Sequence, residues 1–218
     1  MAQSYEDFFS WVLPDVAGCP EITAIQSIRD ATIQFAELSL IHQVDHDPVS
    51  VVAKIADYDL ETPIANTRIV KVMKAYYKGQ ELTPASPDDV TDPGVYNTAI
   101  GGYTPSYQPP TAFFQKNEGS ITLMPIPDQS LANAITMRVA LVPSRNSITC
   151  ESLFFEQWVE YISAGAVARL QLSSGKTYSN AQAAAVNQSR FMAGVNIARM
   201  RAVRGFNRSS LSVQMRNP

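Results

Sequence analysis

The sequence predicts an α+β fold: a helical bundle assembled from the N- and C-terminal segments, with an inserted antiparallel β-sandwich or small barrel between them. Three observations predict it. Apolar residues recur every three to four positions near both ends of the chain, whereas after Pro48 the period changes to two, before an aperiodic stretch at 84–110 and further candidate strands up to 142. Thirteen of the fourteen prolines precede residue 150, where they mark turns, edge strands and irregular connections. Finally, the 218 residues are 45% apolar and 17% charged, a globular composition with length enough for a real core. The expected organisation is a bundle of residues 1–47 with 144–205, a β module at 48–143, and a polar, arginine-bearing tail at 206–218.

At the N-terminus, Ser4 and Asp7 have capping spacing, and Phe8, Phe9, Trp11 and Val12 give a short helix its apolar surface before Pro14 stops it. Val16-Ala-Gly-Cys-Pro20 reads as a turn. A longer helix follows from about Glu21 to Gln43, with Ile22, Ile25, Ile28, Ala31/Thr32, Phe35, Leu38 and Ile41/His42 as one core-facing stripe. After His46-Asp-Pro48 the period changes: Val49, Val51, Ala53 and Ile55 alternate with polar neighbours, and Tyr58 continues the run. A turn at 63–66 leads to a β-branched and aromatic strand at 68–77, then to a hairpin turn at Lys78-Gly79-Gln80. Strands at 112–116, 120–124 and 134–142 bring the module to about five, with turns at 117–119 and 125–129.

Beyond residue 143 the helical period returns. Thr149 is the expected cap, with Glu151 in the first turn, and Phe154/Phe155, Trp158, Ile162, Gly165/Ala166 and Arg169/Leu170 mark the buried stripe. Ser179-Asn-Ala-Gln182 has capping-box spacing and opens a last helix that runs to about Val203, before Gly205. The short link makes the two an antiparallel hairpin. Ala164, Gly165, Ala166 and Ala168 on one helix, with Ala181, Ala183, Ala184 and Ala185 on the other, allow a close backbone approach.

Enzymatic signals are weak. The chain has no phosphate-binding glycine loop, no serine elbow and no Cys-x-x-Cys pair. His42 and His46, with Asp45 and Asp47 nearby, have the spacing of two ligands on one helix face; the competing reading is a solvated helix end, favoured because Asp47-Pro48 falls where the helix stops. Asp57, Asp59 and Glu61 read as a solvated strand face rather than a catalytic pair. Cys19 and Cys150 read as buried thiols. No catalytic, cofactor or metal residue is assigned. No apolar run approaches the roughly 20 residues of a membrane span, and the acidic N-terminus lacks the basic and apolar regions of a signal peptide, so synthesis and retention in the cytoplasm, or packaging from it, are expected.

Two stretches stand out as contact surfaces. Residues 84–110 are proline-rich and carry Asp88, Asp89 and Asp92 with Tyr96, Tyr103 and Tyr107, without any period; a loop of that length is usually functional or ordered by a partner. Its aspartates lack the glycine and distal glutamate of a calcium loop. The second stretch is residues 161–218, which contain no Asp or Glu but eight basic residues, seven of them arginine. All 20 acids therefore lie in residues 1–160, giving −11 there against +8 beyond. On an ideal wheel Arg190, Arg201 and Arg204 fall within about 60°, with Arg199 nearly opposite. Arginine suits bidentate pairing to carboxylates or phosphates.

Taken in order, several segments resemble those of the head-to-tail adaptor proteins of tailed bacteriophages. They are Leu13-Pro-Asp-Val-Ala-Gly-Cys-Pro20, Ile28-Arg-Asp-Ala-Thr-Ile-Gln-Phe35, the strand pair around Lys78-Gly-Gln-Glu-Leu82, Ile121-Thr-Leu-Met-Pro-Ile-Pro127, Val139-Ala-Leu-Val-Pro-Ser144, and the helix pair around Gly165-Ala-Val-Ala-Arg-Leu170. The resemblance implies a virion structural protein of the neck. It would assemble as a ring of copies of itself, expected to be dodecameric, between the portal protein and the tail or tail nozzle, with DNA passing through and no sequence-specific binding. It also implies portal-side contacts at Arg199, Arg201, Arg204, Arg208 and Arg216, and tail-side contacts at Asp88, Asp89, Asp92, Tyr96, Tyr103 and Tyr107. Three alternatives stay open. One is a tail-tube or tail-completion protein. Another is a nucleic-acid-binding protein using Arg190, Arg201, Arg204 and Arg208, disfavoured by the acidic pI near 5.4. The last is an enzyme whose site lies in the β module.

Overall fold

A computed structural model describes residues 2–86, 95–97, 102–104 and 107–205, with the backbone alone for 95–97 and 102–104. The fold is α+β. In chain order, β1 is Ala2–Ser4; a 3-10 turn (Tyr5–Phe8), α1 (Phe9–Val12) and a second 3-10 turn (Leu13–Asp15) follow, and then α2 (Glu21–Ser39). The strands are β2 (Gln43–Val51), β3 (Asp57–Asp59), β4 (Thr67–Tyr77), β5 (Gln80–Glu81), β6 (Thr83–Pro84), β7 (Val95–Asn97), β8 (Gly102–Thr104), β9 (Ala112–Phe114), β10 (Ser120–Met124) and β11 (Leu131–Pro143). The chain closes with β12 (Thr149–Glu151), α3 (Ser152–Gln171) and α4 (Ala181–Arg204). It divides into two compact units, Met1–His42 with Pro143–Pro218, and Gln43–Val142.

In the helical unit, the first turn is capped as the sequence predicts: Ser4 Oγ accepts the Glu6 N–H, and the Asp7 carboxylate accepts the Ser4 N–H at 3.1 Å. Helix α2 stops at Ser39, short of the expected Gln43. Leu40 turns into the left-handed region (φ 52°) and its N–H returns to Ala36 O, an αL ending made without glycine. The change of unit therefore falls after His42 rather than after residue 47, and Gln43–Asp47 belong to β2 instead of a helix. Ile28, Ala31, Thr32 and Phe35 are buried, whereas Ile22 and Leu38, assigned to the same stripe, are exposed.

Thr149 does not cap α3. Residues Thr149–Glu151 instead pair antiparallel with Ala2–Ser4, in the register Ala2↔Glu151 and Ser4↔Thr149. Asn180, not Ser179, caps α4: its side-chain oxygen accepts the Ala183 N–H at 3.0 Å, while Ser179 Oγ accepts the Lys176 N–H. Gly205 (φ 64°) ends the helix with its N–H on Arg201 O at 2.8 Å. Phe35 of α2 meets Trp158 of α3 and Phe191 of α4 at ring-centroid distances of 5.4 and 6.0 Å, so one aromatic cluster joins three helices. Ser27 Oγ adds a buried bond to Ala166 O at 2.9 Å.

The close approach of α3 and α4 is built from glycine against aromatic rather than alanine against alanine. A Cβ on Gly165 would strike the Phe191 ring, and one on Gly194 would strike Tyr161. Each helix thus supplies one glycine and one ring, set about a turn apart. Of the four α4 alanines expected at the contact, only Ala184 is buried.

The β unit holds two four-stranded sheets, ordered β2-β11-β4-β5 and β3-β10-β9-β6. Their apolar faces share one core, with Val72, Ala75, Ile135 and Val139 from the first and Phe113, Ile121 and Leu123 from the second. The pairing is not wholly antiparallel as predicted: β6 runs parallel to β9, Thr83 opposite Ala112. The first strand ends at Val51 rather than continuing past Ile55, because Lys54 takes φ 67° and the Tyr58 hydroxyl closes the turn on Ile55 O at 2.8 Å. The hairpin between β4 and β5 is the expected one, with both Lys78 and Gly79 at positive φ (51° and 81°), as a two-residue type I′ turn demands. Within 84–110, where no period was legible, β7 and β8 form an antiparallel ribbon with Tyr96 in register with Tyr103.

Candidate functional site

The arginines singled out by the charge split divide into engaged and unengaged groups. Helix α4 packs Ala184, Phe191, Gly194, Val195 and Ala198 inward, which fixes where every other residue of the helix points. Arg201 lies along the bundle: its Cζ is 4.9 Å from the Trp158 ring centroid and its Nη1 donates to Gln157 Oε1 at 3.0 Å. It covers a buried indole whose Nε1 has no hydrogen-bond partner in the described residues. Arg190 pairs with Glu160 of α3 at 3.1 Å, and Arg169 of α3 donates to Gln34 of α2 at 2.8 Å. Arg199 and Arg204 are exposed and make no ion pair or hydrogen bond with a described residue. They sit in the last turns of α4, where cations also offset the helix dipole. Arg208 and Arg216 lie outside the described residues.

The same helix carries an apolar line that the arginines had obscured. Val186, Ile197, Met200 and Val203 keep 45–69% of their surface exposed. Val186, Ala193, Ile197 and Met200 fall within about 60° on an ideal wheel, and Arg204 continues that line one turn further. Arg190 edges it on one side, whereas Met192, Arg199 and Val203 lie about 60–100° further round the helix on the other. The spacing of seven, four and three residues was present in the sequence, but only the arginines and alanines of this helix were read there. Scattered exposed apolar residues are ordinary, whereas an aligned set edged by cations is a docking geometry.

The tail-side candidates are less complete. Asp88, Asp89 and Asp92 lie outside the described residues, and for Tyr96 and Tyr103 the backbone register alone is described. Tyr107 is 43% exposed, with Lys54 Nζ 5.7 Å from its ring centroid. Its backbone bridges to Ile126.

The remaining candidates resolve into structural roles. Asp57 is held by the Thr122 hydroxyl and by Lys116, and the Thr122 bond in particular keeps its carboxyl below the usual carboxylate range. The two histidines do not share a helix face. His42 follows α2 as a buried ring packed edge-on to Phe154, and burial lowers its pKa. His46 lies in β2, its Nδ1 2.6 Å from Asp47 O and its Nε2 2.7 Å from Glu61 O. Cys150 is buried and its thiol is pushed up to about 12, chiefly by that burial, whereas Cys19 is half-buried, not buried as expected. Among the described residues, no group of three or more His, Cys, Asp or Glu is placed to hold a metal ion, and no helix is long and apolar enough to cross a membrane. In the β unit, a depression of about 460 Å³ is lined by Asp45, His46, Lys74, Tyr76 and Arg138, but Asp45 pairs with Arg138 (3.0 Å) and Lys74 with Glu81 (3.4 Å). No protein-family model and no curated protein matches the chain.

Proposed function

We propose that this chain is a structural protein of a tailed-bacteriophage virion, a head-to-tail adaptor that joins the portal to the tail as a ring of identical copies. One observation carries the reading. The C-terminal helix has no acidic residue along its length, and two of its terminal arginines, Arg199 and Arg204, have no partner within the described chain. A guanidinium left without a carboxylate at the end of a well-packed helix suits an acidic surface on a neighbouring subunit. The ordered set of segments that resembles adaptor proteins gives that neighbour its identity, the portal.

The β unit, with Tyr107 and the segment before it, would then meet the tail or its nozzle, and the virion neck would be the place of action. DNA would pass through the ring without sequence-specific contacts. The chain has no assigned catalytic or cofactor role in this reading. Electron microscopy of the purified protein mixed with a candidate portal tests it: a second ring stacked on the portal is expected. Failure of the mixture to co-assemble, together with retention on DNA that weakens steeply with salt, would replace the adaptor by a nucleic-acid-binding protein.

A further inference from the structure

We propose that the outward face of α4 receives an amphipathic α-helix from a partner protein, a helix whose apolar stripe is edged by Asp or Glu. Three features of the chain carry this. The stripe Val186, Ala193, Ile197 and Met200 advances along one side of a continuous helix with the spacing that a neighbouring helix presents in return, so side chains of the two can interdigitate. The middle of the stripe is Ala193, flanked by Asn196 and Ser189, which lets a second backbone come near.

The edges of the stripe choose the sign of the partner. Arg190 edges the stripe on one side and Arg204 continues it at the C-terminal end, and no acid occurs anywhere in α4. Phosphates of a nucleic acid would satisfy the guanidiniums but would leave Val186, Ile197 and Met200 in water. A second copy of the same face would bury the apolar stripe but would set arginines against arginines, a like-charge contact that suppresses pairing. An acidic amphipathic helix satisfies both sets at once, adding a helix to the bundle with a carboxylate bidentate to Arg204 and the Arg190–Glu160 pair beside it. The assignment rests on α4 alone, so it stands or falls separately from the adaptor reading.

The test uses the full chain and two synthetic helical peptides of about three heptads, both with Leu at the a and d positions, one with Glu and one with Lys at e and g. Fluorescence anisotropy is expected to show binding of the Glu peptide that weakens as salt rises, and no binding of the Lys peptide. Ile197→Glu and Arg204→Glu are each expected to weaken the Glu peptide by roughly tenfold or more, the scale of losing an interface anchor. Circular dichroism of these surface variants should match the wild type. Absence of Glu-peptide binding, equal binding of the two peptides, or indifference to Ile197→Glu would overturn the proposal. So would sedimentation showing a wild-type dimer that Ile197→Glu reduces to a monomer, because the occupant would then be a second copy.

Discussion

The inward face of α4 presents Ala184, Phe191, Gly194, Val195 and Ala198, all buried, while its outward face presents Val186, Ile197, Met200 and Val203 largely to solvent. The two sets differ little in hydrophobicity. They differ in what meets them: the inner set has the Tyr161 ring and Gly165 of α3 shaped to it, and the outer set has only Arg190 and Arg204 alongside. A helix apolar on one side is explained by its own fold; apolar on both, it implies a second surface. The β unit supplies a contrast in charge, since Arg68, Lys74, Lys116 and Arg138 each face a carboxylate of their own unit, whereas Arg199 and Arg204 do not.

The largest expected effects lie on the inner face. Phe191→Ala should cost about 3–5 kcal/mol in urea unfolding, as for other buried aromatics. Gly165→Ala should cost about 1–3 kcal/mol by overpacking, but far less in the Phe191→Ala background, where the ring it strikes is gone. Simple additivity in that cycle would break the account of the helix contact.

Next come two pH effects from buried groups on the packed side. Burial pushes the Tyr5 phenol up to about 12, even though Ser147 bonds to it at 3.0 Å. The folded chain keeps this proton where the unfolded chain loses it, so the stabilisation is whole below the ordinary tyrosine value of 10.0 and is lost as pH rises toward about 12. That loss is roughly 2–3 kcal/mol, and Tyr5→Phe should flatten it. At the acid end, burial holds His42 below its ordinary 6.5. The unfolded ring takes up a proton that the folded ring refuses, so stability is whole above pH 6.5 and falls as pH drops below it. Urea midpoints of His42→Phe should show a shallower acid limb.

The smallest effects separate the arginines and the outer face. Arg201→Ala should lose about 1 kcal/mol, from its place over Trp158 and its bond to Gln157, while Arg204→Ala should stay within about 0.5 kcal/mol. Equal losses would erase the distinction between engaged and unengaged arginines. Ile197→Glu should likewise change thermal stability by no more than about 0.5 kcal/mol; a larger loss would mean that the outward face is already covered.

The fold was legible wherever the signal is local. Ser4 with Asp7, Lys78 with Gly79, and the apolar periods of α2 and α3 all act within a few residues of themselves. The ribbon between Ala2–Ser4 and Thr149–Glu151 was not legible, because its partners are far apart in sequence and each strand is too short to show a period. The end of α2 was hidden too, since Leu40 takes a left-handed conformation without being a glycine. For the candidate site, the charge split located the helix but not which arginines the fold consumes. That depended on Trp158 and Glu160 lying beside Arg201 and Arg190, a matter of tertiary register. The apolar line at 186, 193, 197 and 200 was written in the sequence and was overshadowed by charge.

The reciprocal seating of Phe191 on Gly165 and Tyr161 on Gly194 has a consequence for recognition. Two such seats, a turn apart, act as a pair of dowels: α4 can neither slide along α3 nor roll against it without lifting a ring from its socket. The outward residues are therefore held at a fixed azimuth before any partner arrives. A partner meeting them loses only its own freedom on docking, which leaves more of the contact energy available as affinity.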